Sequence, residues 1–121
     1  MAHQKTLKKS DLDQFTGTEQ WYRHSIVPNV LYTDGAQYVA GHGGAYWLLD
    51  EIALAQSSPS FSEAEFQVWK LTVFPGQSAR LACEDGDSNI CFLKRIPYTD
   101  FPLESIQLYF TNGVILLPSE Y

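Results

Sequence analysis

Gly41-His42-Gly43-Gly44, followed at once by Tyr46 and Trp47, is the segment of this chain best suited to chemistry. Glycines let a backbone approach a ligand closely, and free N–H groups at a helix start favour anions. A hydrolase would use such a loop as an oxyanion hole, with His42 as general acid or base. Two large rings beside it would hold a flat group, so Gly41, His42, Gly43, Gly44, Tyr46 and Trp47 form the candidate ligand site. The plainer account of the same residues is a tight strand-to-helix turn that serves only the chain path. Trp21-Tyr22-Arg23-His24-Ser25 concentrates ring, cation, imidazole and hydroxyl, which makes His24 the other candidate for proton transfer. An extended segment there sends alternate side chains in and out, leaving His24 as a hydrogen-bonded or a surface residue.

Other reaction signatures fail on spacing. No Gly-x-Ser-x-Gly elbow is present, since Gly76-Gln77-Ser78-Ala79-Arg80 lacks the second glycine. His-x-Glu and His-x-x-x-His spacings are missing, so no metal is expected. Asp85-Gly86-Asp87-Ser88-Asn89 begins like a calcium loop, but Ile90 stands where the glycine belongs and Ile96 where the bidentate glutamate belongs. It reads as an acidic hairpin tip. Gly35-Ala36-Gln37 and the other glycine sites carry no phosphate-loop or dinucleotide fingerprint, and no cofactor is expected. Cys83 and Cys91 flank the acidic tip at a spacing unlike the Cys-x-x-Cys of redox enzymes. Across a hairpin centred on Asp87 they would face each other; a reducing compartment favours two buried thiols that contribute packing only.

The elements that must position these residues are marked by alternating runs and turns. The apolar runs are Val30–Tyr32, Phe66–Phe74, Ala79–Cys83, Ile90–Leu93, Ile106–Phe110 and Val114–Leu117. The turn signals are Thr33-Asp34-Gly35, Pro75-Gly76, Glu84-Asp85-Gly86-Asp87 and Thr111-Asn112-Gly113. Asp-Gly and Asn-Gly tolerate the positive φ that tight hairpins require. The spacing predicts antiparallel hairpins, the first of them pairing Val30–Tyr32 with Gln37–Ala40. Ala45–Gln56 is predicted as the longest helix, because Ala45, Leu48, Leu49, Ile52 and Ala53 share one face. Ser57-Ser58-Pro59-Ser60 stops it, and Ser62-Glu63-Ala64-Glu65 is a polar connection. Ser10-Asp11-Leu12-Asp13 starts a short helical turn that Gly17 ends. Neither alternate face of Phe66–Phe74 is cleanly polar, which predicts a central strand partly covered on both sides.

With 121 residues, 45% of them hydrophobic and 18% charged, the chain has the makings of one globular domain. Residues 10–121 are assigned to it and residues 1–9 to a flexible arm. Lys5, Lys8 and Lys9 in that arm leave five bases against fourteen acids in the remainder, and no Lys or Arg occurs between Arg23 and Lys70. A body of this sign repels phosphate backbones, so direct nucleic-acid binding is disfavoured and basic protein surfaces attract it. No segment reaches the roughly 18 apolar residues of a membrane helix, and Met1–Lys9 lacks the apolar stretch of a secretory leader. A cytoplasmic protein without membrane association is expected.

Phe15-Thr16-Gly17-Thr18-Glu19-Gln20-Trp21-Tyr22-Arg23-His24, Tyr32-Thr33-Asp34-Gly35, Ala45-Tyr46-Trp47-Leu48-Leu49-Asp50 and the ending Tyr109–Tyr121 carry a resemblance. The chain resembles a family of short bacterial proteins of unknown function, often carried near plasmid or integrated mobile-element genes. The resemblance spans nearly everything from Asp11 onward and implies a stand-alone domain, without an activity or catalytic residues. The expected fold is a single α+β domain: a mostly antiparallel sheet of about five to seven strands with the Ala45–Gln56 helix packed on one face. The leading function is a non-enzymatic protein-binding module, an accessory protein of a mobile element. The alternatives are a small enzyme using His24 or His42 near residues 41–47, and an acidic inhibitor that mimics nucleic acid. Apolar strands with few blocking charges near the end of the chain suggest a homodimer that covers exposed edges.

Overall fold

The strands fall where the aromatic and β-branched runs are. The computed structural model describes residues 7–17, 20–58, 65–85, 87 and 89–121. The expected stops and connections at Pro59-Ser60 and Ser62–Ala64, Gly86 and Ser88 of the acidic tip, and most of the N-terminal arm lie outside those residues. The strands are β1 (Trp21–Arg23), β2 (Leu31–Thr33), β3 (Phe66–Val73), β4 (Ala79–Asp85), β5 (Ile90–Ile96), β6 (Ser105–Thr111) and β7 (Val114–Leu116). They form one sheet in the order β1-β2-β7-β6-β3-β4-β5, antiparallel throughout except for the β2–β7 pair. The fold is α+β.

Turn chemistry sets three of the four expected reversals. Gly76 (φ 89°) and Gln77 (φ 72°) turn β3 into β4, and Asn112 (φ 53°) and Gly113 (φ 78°) turn β6 into β7. Between β4 and β5, the Asp85 carboxylate accepts from the backbone N–H groups of Asp87 (2.8 Å) and Asn89 (3.0 Å). These bonds hold its pKa below the ordinary carboxylate range.

The fourth reversal does not occur. Thr33-Asp34-Gly35 opens α1 (Asp34–Gly43), a ten-residue helix, where a hairpin back through Gln37–Ala40 is expected from the sequence. The Thr33 hydroxyl accepts from the Ala36 N–H at 3.2 Å, and Asp34 lies at the positive end of the helix. Ala36, Val39, Ala40 and Gly43 are its buried face, so the segment has helical rather than alternating burial. The second helix, α2 (Tyr46–Ala55), matches the predicted Ala45–Gln56 closely but is also ten residues long, so two equal helices replace the single principal one.

Both helices cover one face of the sheet. Leu48, Leu49, Ile52 and Ala53 of α2 are essentially inaccessible and share a core with Trp69, Leu71, Leu81, Leu108 and Ile115. Within that core Gln67 is fully buried, and its amide is matched by a second amide. Gln56 and Gln67 exchange hydrogen bonds at 2.8 and 2.9 Å, and the Trp69 indole N–H donates to Gln67 Oε1 at 2.9 Å. An amide pair satisfied this fully, with Gln67 buried and Gln56 half-buried, fixes how α2 sits on β3.

Leu7, assigned to the flexible arm from the sequence, is only 2% exposed and belongs to the same core. The end-of-chain strands also differ from expectation. Both β6 and β7 lie inside the sheet, and among the described residues the edge strands are β1 and β5.

Candidate functional site

Gly41–Gly43 is the last turn of α1, so its amides are used inside the helix and do not form a bare loop. Gly44 (φ 62°) is the left-handed cap, and the Ala45 N–H closes the turn onto the Ala40 carbonyl at 2.9 Å. A Cβ on Gly43 would lie 2.6 Å from the Phe101 ring, which explains the second glycine by packing. These geometries remove the reason for expecting an oxyanion hole at Gly41–Gly44. A helix C-terminus presents carbonyl groups, the wrong polarity for an anion.

His42, on the same turn, is half-buried. Its ring stacks on Tyr38 with centroids 3.9 Å apart, and Nδ1 donates to the Tyr38 carbonyl at 3.2 Å. His24 has a different setting: it is 3% exposed, and both ring nitrogens are engaged. Nδ1 accepts from the backbone N–H groups of Ile26 (3.2 Å) and Val27 (3.0 Å), which puts the ring proton on Nε2. That N–H donates to Asp50 Oδ1 at 2.8 Å. The ring therefore ties the β1–β2 connection to α2. The two histidines share no partner among the described residues.

Tyrosines gather around the outer end of this link. Tyr22 and Tyr32, cross-strand neighbours on β1 and β2, stack with centroids 5.6 Å apart. The Tyr22 hydroxyl donates to Gln20 Oε1 at 3.0 Å, and loss of hydration, with the Asp34 carboxylate nearby, pushes it above its ordinary pKa. Burial does the same for Tyr32, with Tyr46 and Asp50 adding to it. Tyr46, at the first position of α2, is 49% exposed and reaches toward Gly41. Trp47 turns inward and packs against the core. Of the predicted site residues, Gly41 and Tyr46 therefore meet on one surface, where Tyr22, Tyr32, Asp34 and Asp50 join them. Asp34 and Asp50 are legible in the sequence only as members of the base-free stretch between Arg23 and Lys70.

The matching family model covers residues 6–121. The chain belongs to DUF6876, a family of unknown function. No curated protein and no solved structure matches the chain. Membership in DUF6876 thus brings no named activity to the tyrosine surface.

Two further features bear on chemistry in this DUF6876 member. A cleft of about 790 Å³ opens beside Gln56, Phe66, Phe110 and Tyr121. Among the described residues its lining holds one acidic side chain, Glu65, and no imidazole, thiol or basic side chain. The described residues contain no group of three His, Cys, Asp or Glu side chains able to hold a metal ion. At the other end of the chemistry, Cys83 is buried and Cys91 exposed, which corrects the expectation of two buried thiols. A bulge in the β4–β5 register brings their sulfurs to 3.9 Å. Burial and the neighbouring Cys91 thiol push the Cys83 thiol well above its ordinary range, which keeps it protonated and inert.

Proposed function

We propose that the protein is a non-enzymatic protein-binding module that takes a basic, extended segment of its partner across Tyr22, Tyr32, Tyr46, Asp34 and Asp50. The observation that carries this is the Tyr22–Tyr32 ring stack, with Tyr46, Asp34 and Asp50 close enough to act on its hydroxyls, within a stretch of sequence that holds no Lys or Arg between Arg23 and Lys70. Guanidinium and ammonium groups are attracted both to carboxylates and to aromatic faces, each exposed ring adding about 0.5–1 kcal/mol. The engagement of both His24 nitrogens supports binding over catalysis, since a proton-transfer residue needs one nitrogen facing substrate. On this reading the protein is a bacterial, cytoplasmic accessory factor of a mobile element, acting through another protein.

The test is an NMR titration of the full chain with a short peptide alternating arginine and glycine. Amides at 20–24, 32–34 and 46–50 shift, and affinity falls as salt rises. Tyr46→Ala combined with Asp34→Asn weakens binding without changing the circular dichroism spectrum. Shifts confined to another surface, or binding unchanged in that double variant, would refute the proposal.

A further inference from the structure

The opposite edge of the sheet has a chemistry of its own. Strand β5 pairs only with β4, so one row of its backbone N–H and C=O groups has no strand partner among the described residues. Leu93 on it is 60% exposed. Alternation puts Leu93 and Arg95 on the helix-free face, where Arg80 of β4 stands directly opposite Arg95. A shallow groove of about 470 Å³ runs between Phe74, Arg80, Leu93 and Arg95. Like charges directly opposite on a sheet repel. Neither arginine has a carboxylate to offset this: the ion pairs of the described residues are His24–Asp50, Lys70–Glu84 and Lys94–Glu51. In a chain of net charge −6, two cations without an ion-pair partner among the described residues meet over apolar side chains beside an edge strand.

We infer that β5 accepts an extended acidic segment of a partner protein as an eighth strand. Its backbone completes the hydrogen bonding of β5. A carboxylate on it answers Arg95 and Arg80, and an apolar side chain two residues away covers Leu93 and Phe74. The spacing follows from strand geometry, since only alternate residues of the added strand face this groove. Lys94 points to the other face, where Glu51 holds it, and does not compete for the acid. Charge also selects against a second copy as occupant. Pairing β5 with itself would bring Arg80 and Arg95 of both copies onto one face, where the acid of β4, Glu84, is already held by Lys70. Edge cations of this kind turn away neutral and basic strands, and the same cations recruit an acidic one.

This surface is separate from the tyrosine surface and prefers the opposite charge, so the two proposals fail independently. The probe is an end-capped octapeptide alternating glutamate and valine, titrated into the full chain, with an alternating lysine–valine peptide as control. Binding of the acidic peptide shifts and protects the amides of Ile90–Ile96, and its affinity falls with salt. The double variant Arg80→Gln, Arg95→Gln, with an unchanged circular dichroism spectrum, loses about tenfold in affinity or more. Arg23→Gln leaves it unchanged. Unmoved β5 amides, equal binding by the double variant, or equal β5 binding by the lysine peptide would overturn the inference. So would sedimentation showing a dimer whose β5 amides are protected without any peptide.

Discussion

Glu120 is the residue whose removal tests the tertiary account most directly. Its carboxylate accepts from the Thr33 hydroxyl at 2.6 Å, the Gly35 N–H at 3.1 Å and the Leu117 N–H at 2.9 Å. One side chain near the end of the chain thus caps α1 and clamps the C-terminal turn onto β2. A Cβ on Gly35 would lie 2.5 Å from the same carboxylate, so the glycine is required by the clamp. Hydrogen bonds to charged groups contribute about 1.5–3 kcal/mol each, and an acid at a helix N-terminus adds about 0.3–1 kcal/mol. Water reaches this half-buried group and replaces part of what is lost, so Glu120→Ala is expected to cost about 2–4 kcal/mol. With a urea slope of about 2 kcal/mol per molar, the unfolding midpoint falls by about 1–2 M at constant slope. Glu120→Gln, which keeps one acceptor, falls between the variant and the parent. A double-mutant cycle with Thr33→Val gives a coupling above about 0.5 kcal/mol. A loss below about 0.5 kcal/mol for Glu120→Ala, with the slope unchanged, would refute the clamp.

Leu49 is 1% exposed at the centre of the α2–sheet interface, and Leu49→Ala is expected to cost about 2–5 kcal/mol in chemical denaturation, against less than about 0.5 for Leu54→Ala on the exposed side. A neutral Leu49→Ala would mean that α2 does not pack as described. With maleimide under native conditions, Cys91 reacts first and Cys83 only on unfolding, because Cys83 is buried and its thiol is held protonated. Equal rates, read by mass spectrometry, would contradict that difference.

Much of the sheet was legible because its signals are local. Asn112-Gly113 and Pro75-Gly76 adopt the backbone angles that their residue types permit cheaply, so their hairpins form where the dipeptides stand. The face of α2 was legible for a similar reason, since Leu48, Leu49 and Ile52 repeat at the helical period. Thr33-Asp34-Gly35 misled because the same residue types serve a tight turn and a helix N-cap. Only the next eight residues, with Ala36, Val39, Ala40 and Gly43 on one side, decide between the two. Once α1 exists, Gly41–Gly44 changes from a loop entering a helix into the end of one.

The candidate surfaces were less legible. His24 and Asp50 lie 26 residues apart and meet only because the β1–β2 connection lies against α2. Tyr22, Tyr32 and Tyr46 come from three different elements. Arg80 and Arg95 face each other through a register fixed by the β4–β5 hairpin and its bulge. By itself, the sequence determined the fold class, most strands, the buried face of α2, the acidic balance and the lack of familiar catalytic spacings, because composition, periodicity and turn preference act over a few residues. Tertiary structure alone decided which strands became edges, which carboxylate caps α1, and which rings and charges share a surface, because those depend on contacts between residues tens of positions apart.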